Sequence, residues 1–222
     1  MPAALKDHKR LLQRRNRNSS SLQLTSLLMN NFIKRTISGI GFVAIMLAAF
    51  LTNKYVFGTV MLLALIIMMK EFLKMTCGKN YWFSQILSIL AGATLFTLTF
   101  LFKGFNIPGR LVILAFVPVF VLMINSLYVK DKSRFDKFSN LYAALIYIAV
   151  PWSVLNFAVF NGQGDFNGML LLCFFAIIWG TDVGAYLFGI TLGQRYGRKL
   201  FPSISPKNSW IGFCGGLATA VA

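Results

Sequence analysis

A single carboxylate stands inside the apolar run "CFFAIIWGTDVGAYLFGI", which covers Cys173 to Ile190. Asp182 lies about eight residues before the end of that run, roughly 12 Å deep at a helical rise of 1.5 Å per residue. An aspartate at that depth costs about 2.5–3.5 kcal/mol on membrane-insertion scales, so it normally faces a cavity or a polar partner and marks a functional site. Helical spacing puts Ala185, Gly189 and Gly193 on approximately its face. Gly180/Gly184 and Gly189/Gly193 are spaced as GxxxG pairs, which let two helices approach closely. The plainer reading is a carboxylate that hydrogen-bonds a neighbouring helix.

A second polar group follows. After "QRYGRK", with Arg195, Arg198 and Lys199, the stretch "FPSISPKNSW" offers hydroxyls at Ser203, Ser205 and Ser209 and an ammonium at Lys207. Pro202 and Pro206 hold the backbone extended and out of helix. Hydroxyls, free backbone N–H groups and cations suit phosphate oxygens. Ser209 is placed to cap a helix beginning at Trp210, whose N-terminus favours an anion. A capped loop that re-enters the membrane with topology charges explains the same residues, and the residues alone leave both readings open.

Hydropathy sets what must position these groups. The chain has 222 residues, 57% hydrophobic and 13% charged, against about 25% charged in soluble domains. Apolar runs recur at Ile37–Thr52, Val56–Met69, Trp82–Phe102, Leu111–Val129, Leu141–Phe160 and Gly168–Ile190, and another begins at Trp210. A bilayer core of ~30 Å needs roughly 20 apolar residues. The expected fold is therefore all-α, a polytopic integral membrane protein with six transmembrane helices and the start of a seventh. Gly193 and Gly197 would end the sixth. Pro118 and Pro151 fall inside the fourth and fifth spans and should kink them unless neighbours compensate. Tyr55, Tyr81, Trp82, Tyr128 and Tyr142 mark span ends, where amphipathic rings settle. Residues 1–28 read as a basic, polar cytosolic tail, or as sequence upstream of a start at Met29, and 29–222 as the membrane domain. The tail lacks the apolar segment of a secretory signal.

The remaining chemistry is sparse. Among six acids, Asp7, Asp131, Asp136 and Asp165 fall in the tail or loops, and Glu71 pairs with Lys74 at helical spacing. His8 is the one histidine, which excludes a histidine-based metal site or triad within the chain. Cys77, Cys173 and Cys214 are spaced for neither a disulfide framework nor zinc and read as small buried hydrophobes. No internal repeat supports an inverted-repeat transporter.

The net charge of +16 would suit nucleic acid, but its distribution points elsewhere. Nineteen of the twenty-two Lys and Arg fall in the N-terminal segment and in the loops after the second, fourth and sixth spans. Lys54, Lys103 and Arg110 alone occupy the alternate side. Basic residues resist translocation and favour anionic lipid heads, so the N-terminus and the Pro202–Asn208 loop face the cytosol. Nucleic acid is not an expected partner.

The segment "GTDVGAYLFGITLGQRYGRKLFPSISPKNSWIGFCGG" closely resembles the CDP-diacylglycerol synthase, or phosphatidate cytidylyltransferase, family. The resemblance rests on Asp182, Gly184, Ala185 and Tyr186, then on Ser205, Pro206, Lys207, Ser209, Trp210, Gly212, Gly215 and Gly216. It covers about the last forty residues; upstream, only hydropathy and small features such as "KEFLKM" match. It implies transfer of CMP from CTP to phosphatidic acid, giving CDP-diacylglycerol and pyrophosphate in the bacterial inner membrane. Asp182 and Lys207 would be catalytic. Ser205, Lys207, Ser209, Arg198 and Lys199 would bind CTP phosphates, and Asp182 would help hold Mg²⁺. Gly184, Tyr186, Pro206, Trp210, Gly212, Gly215 and Gly216 would be structural. Partners would be CTP, phosphatidic acid and the bilayer, with a homodimer left open.

One departure stands out. The family continues into a second block with a His-Gly-Gly step and an Asp-Arg-x-Asp step, whose aspartates hold the metals. This sequence has neither and ends in "LATAVA". The expectation is a truncated or partial cytidylyltransferase with part of the CTP site, inactive as it stands. The alternative is a non-catalytic membrane protein that acts by helix packing with partners.

Overall fold

The computed structural model describes residues 37, 39–79, 81–129, 135–194, 198–203 and 205–221, with Asp136, Pro206 and Lys207 as backbone alone. The tail at 1–28, Lys130, Lys132, Arg134, Arg195 and Gly197 lie outside the described residues. Two compact units divide the chain, Met1–Met46 and Leu47–Ala222. The described part of the first is the opening of helix α1, Gly39–Leu51. The second holds every element that follows.

Five helices are long and apolar enough to cross a membrane: α2 Lys54–Cys77, α3 Trp82–Phe105, α4 Gly109–Tyr128, α5 Ser139–Val159 and α6 Met169–Gly193. The chain is an all-α, multi-pass membrane protein by these helices. The expected count of six is not reached among the described residues. At 1.5 Å per residue α1 spans about 20 Å, short of the ~30 Å core. A short final helix, α7 Trp210–Val221, follows a two-stranded antiparallel sheet, β1 Lys199–Phe201 and β2 Ser205–Ser209.

Local chemistry sets the boundaries. Asn53 caps α2, its Oδ1 accepting from the N–H groups of Tyr55 and Val56 at 3.0 Å each. The helix stops at Gly78, which takes φ 64° and donates its N–H to the Lys74 carbonyl at 3.1 Å. It therefore runs past the apolar stretch that ends at Met69, carrying Lys70, Glu71 and Lys74 exposed on its last turns. Glu71 and Lys74 form the expected i,i+3 ion pair at 3.9 Å.

The two prolines change helix type. α4 opens as a 3-10 segment, Gly109–Ala115, and becomes α-helical only from Phe116, which puts Pro118 in the first α-turn, where an N–H is not required. In α5 a π-helical turn, Leu145–Ala149, precedes Val150 and Pro151. The wider turn accommodates the missing donor and the ring.

α3 is packed by α2, α4 and α5. Gly92 brings it against Met69 and Ala149, and a Cβ there would stand 3.0 Å from Ala149 Cβ. Polar groups are paired within this core. Ser88 Oγ donates to the Leu141 carbonyl at 2.9 Å, Ser84 Oγ to Asn125 Oδ1 at 2.5 Å, and Trp152 Nε1 to the Met61 carbonyl at 2.8 Å. Asn156, wholly buried, donates through Nδ2 to Thr99 Oγ1 at 3.0 Å and the Ser153 carbonyl at 3.1 Å. Its Oδ1 is buried without a partner.

The loops sort into two ends. Lys54 Nζ donates to the Gly104 carbonyl at 2.9 Å, and Asn106 Nδ2 to the Gln163 carbonyl at 3.0 Å, so the segments before α2, after α3 and before α6 meet at one end. At the other, Cys77 Sγ donates to the Lys137 carbonyl at 3.4 Å, and the rings of Tyr81 and Phe138 meet edge to face. α6 starts at the first end and finishes at the second. The sparse basic residues Lys54, Lys103 and Arg110 share one end, and the richer loops share the other. Of the cysteines, Cys77 is buried as expected, whereas Cys173 and Cys214 are exposed on apolar helices.

Candidate functional site

The extended loop expected from the prolines is a hairpin. Lys199 pairs with Ser209 and Phe201 with Ser205, with an irregularity between the two pairs. Pro206 lies within β2, an edge strand, where its missing donor is tolerated. The hairpin closes on α7 through the Trp210 N–H, which donates to the Arg198 carbonyl at 3.0 Å. Arg198 is exposed, and Lys199 Nζ donates to Gln194 Oε1 at 2.9 Å. That pairing draws on Gln194, which composition did not single out.

Ser209 does what its position before Trp210 predicts. Its Oγ accepts from the Gly212 N–H at 3.2 Å and caps α7. It is also buried, against Gly193, where any Cβ would strike its Oγ. Its hydroxyl is thus occupied at the base of the hairpin, while Ser203 is exposed and Ser205 half-buried. The first-turn N–H groups of α7 lie directly behind the capping hydroxyl, the arrangement that favours an anion.

The glycines of the motif form the seam between α6 and α7. A Cβ on Gly216 would lie 2.9 Å from the Thr181 carbonyl oxygen and 3.0 Å from Ala185 Cβ. One on Gly212 would lie 3.0 Å from the Ala185 carbonyl and 3.1 Å from Gly189 Cα. Gly215 sits against the Phe188 ring, and Gly184 against Thr219. The two GxxxG pairs are used unequally. Gly184 and Gly193 make close approaches, whereas a Cβ on Gly180 would reach Thr219 Cγ2 at an ordinary 3.9 Å. Thr219, in the final "LATAVA", is a seam residue that hydropathy alone conceals. Tyr186 is exposed, and Trp210, also exposed, meets Phe213 edge to face.

Asp182 borders this seam from the exposed side of α6. No hydrogen bond or ion pair joins it to another described residue. It is the fourteenth residue of a 25-residue helix, close to mid-span. Gly193, beside Ser209, is about three turns further on, roughly 16 Å along the axis. The hairpin and the carboxylate thus share a helix pair but do not touch. Among the described residues no three His, Cys, Asp or Glu groups come together. The magnesium ligands implied by the resemblance therefore do not assemble from them, and Asp182 offers at most one oxygen.

A model of the cytidylyltransferase family matches residues 33–222. The chain belongs to the cytidylyltransferase family. Phosphatidate cytidylyltransferases are among its relatives: that of Rickettsia bellii is 39% identical over 80 residues, 36% of this chain and 32% of the relative. That of Bacillus subtilis is 32% identical over 108 residues, 49% of this chain and 38% of the relative, and that of Staphylococcus aureus 38% identical over 82 residues, 37% of this chain and 30% of the relative. The matched stretch spans about a third of the length of each curated relative. No solved structure matches this cytidylyltransferase chain.

Proposed function

We propose that the protein takes part in transfer of CMP from CTP to phosphatidic acid. A phosphate oxygen of phosphatidic acid attacks the α-phosphorus of CTP, the bond from that phosphorus to the bridging oxygen breaks, and pyrophosphate leaves as CDP-diacylglycerol forms. The attacking group is already an anion, so no protein nucleophile is needed. The work falls to alignment and to neutralising phosphate charge.

The observation that carries this reading is the capped hairpin. Lys199–Ser209 stands at the head of α7, held by a glycine seam to the helix that bears Asp182. In this reading Arg198, Lys199, Lys207 and the hydroxyl of Ser205 receive CTP phosphates, and Ser209 fixes the loop through its cap. Asp182 would supply one oxygen toward Mg²⁺. No step is assigned to the metal, because the described residues do not compose its site. An open groove of about 390 Å³ lies beside the hairpin, lined by Phe188, Trp210, Ile211, Cys214, Gly215 and Ala218. Its apolar walls suit an acyl chain. The charge distribution supports a cytosolic N-terminus and hairpin in an inner membrane, the side on which CTP is found.

The test is CTP-dependent formation of CDP-diacylglycerol by membranes carrying the protein expressed from its gene. Lys207→Ala and Asp182→Asn should each lower turnover by roughly 10²-fold or more, the scale of losing one charge-stabilising group, with membrane insertion unchanged. Normal turnover in both variants would remove the site assignment.

A further inference from the structure

A second pocket lies away from the α6–α7 seam. It occupies about 600 Å³ where α4 ends and α5 begins, and is lined by Ser126, Phe135, Phe138, Ser139 and Tyr142. Ser126 stands in the last turn of α4, and Ser139 opens α5, so the pocket sits at the level where two spans leave the membrane. Its floor is aromatic: Phe135 and Phe138 stack at 5.3 Å between centroids and 11° between planes, and Phe138 also meets Tyr142. Its rim is hydroxylic. The Tyr142 hydroxyl has no hydrogen-bond partner among the described residues, and Ser126 Oγ, which donates to the Met123 carbonyl at 2.6 Å, keeps its acceptor side.

Charge and hydropathy meet here. The connection from α4 to α5 carries Lys130, Lys132, Arg134 and Lys137. Four cations directly after a span are the composition that draws anionic lipid heads. Lys137 shares the 3-10 turn Phe135–Phe138 with the stacked rings. On the membrane side, Phe120, Met123, Ile124 and Leu127 form an exposed apolar stripe along α4. α4 is among the least covered spans, with 11% of its most apolar stretch buried against 33% in α2.

We propose that this pocket binds the headgroup of an anionic phospholipid, with its acyl chains laid along the exposed stripe of α4. The Tyr142 hydroxyl donates to a phosphate oxygen, the phenyl floor takes the glycerol and first methylenes, and the basic connection supplies charge complementarity. The site is separate from the hairpin and does not depend on the nucleotide reading. It makes the protein selective for anionic lipid in the annulus around α4.

The experiment places the chain in phosphatidylcholine vesicles with spin-labelled phosphatidylglycerol or spin-labelled phosphatidylcholine and reads the immobilised fraction of each probe. Phosphatidylglycerol should be immobilised preferentially. Tyr142→Phe should lower that preference about fivefold, the equivalent of about 1 kcal/mol for one hydrogen bond, and leave the phosphatidylcholine signal unchanged. Ser126→Ala, a mild change elsewhere on the rim, should lower it in the same direction. Equal immobilisation of the two probes would overturn the proposal. So would a preference that survives Tyr142→Phe and Ser126→Ala but vanishes with salt, because that is diffuse attraction to basic loops. Displacement of the lipid probe by CTP would overturn it in favour of a nucleotide pocket.

Discussion

Asn156 shows how a polar side chain lives inside this bundle. Its amide nitrogen faces acceptors on α3 and α5, Thr99 Oγ1, the Phe96 carbonyl and the Ser153 carbonyl, while its oxygen faces none. The site is therefore built for a donor. Asn156→Ala should destabilise the fold by only about 0.6–1.7 kcal/mol, the range for hydrogen bonds between membrane helices. Asn156→Asp should cost well over that, about 3 kcal/mol or more, because a buried carboxylate would confront carbonyl oxygens with no cation near. Unfolding in mixed micelles compares the two, and equal losses would contradict the donor assignment. Asp182 is the opposite case, a carboxylate without protein partners on an exposed helix face. Its conspicuousness in the sequence came from its cost in lipid; its separation from the hairpin came from helix geometry.

At the scale of elements, α6 and α7 are joined by absence of side chains. Close approach of the two backbones at Gly212 and Gly216 leaves carbonyl oxygens where any Cβ would go. Backbone cannot step aside as a flexible side chain can. Gly216→Ala should therefore destabilise the helix pair by about 1–3 kcal/mol through overpacking, and should loosen the hairpin that α7 anchors. Gly180→Ala, where the Cβ meets open contact distance, should fall within about 0.5 kcal/mol of the parent. Thermal unfolding in detergent gives both values, and a similar loss at the two positions would rule out the seam as described. The GxxxG spacing had marked all four glycines of α6 alike. Spacing defines a face of one helix, whereas the axial register of its partner selects which glycines on that face are pressed.

The whole molecule is organised by its two ends. Hydrogen bonds gather Lys54, Gly104, Asn106 and Gln163 at one, and Cys77 and Lys137 at the other. That grouping coincides with the division of basic residues between alternate loops, two independent routes to one alternation. In a background with the three native cysteines replaced, Ser203→Cys and Lys79→Cys should react with an impermeant maleimide from the same side of a vesicle, and Gln163→Cys from the other. Labelling of Ser203→Cys and Gln163→Cys from one side would break the topology, and with it the access of a cytosolic nucleotide to the hairpin.

Apolar composition and the scarcity of charge dictated membrane-spanning helices, since lipid offers backbone groups no partner other than their own helix. Two prolines kept the Lys199–Ser209 stretch out of helix, and a serine before Trp210 announced the cap. These are local causes, acting within a few residues, and so could be read from the chain. Matters of contact between distant segments could not. The bends at Pro118 and Pro151 were absorbed as changes of helix type, the unpaired oxygen of Asn156 and the Tyr142 pocket arose where separate helices met, and Gly184 rather than Gly180 took the close contact. Each depends on which atoms another helix brings alongside, and that is decided by three-dimensional packing of surfaces remote in sequence.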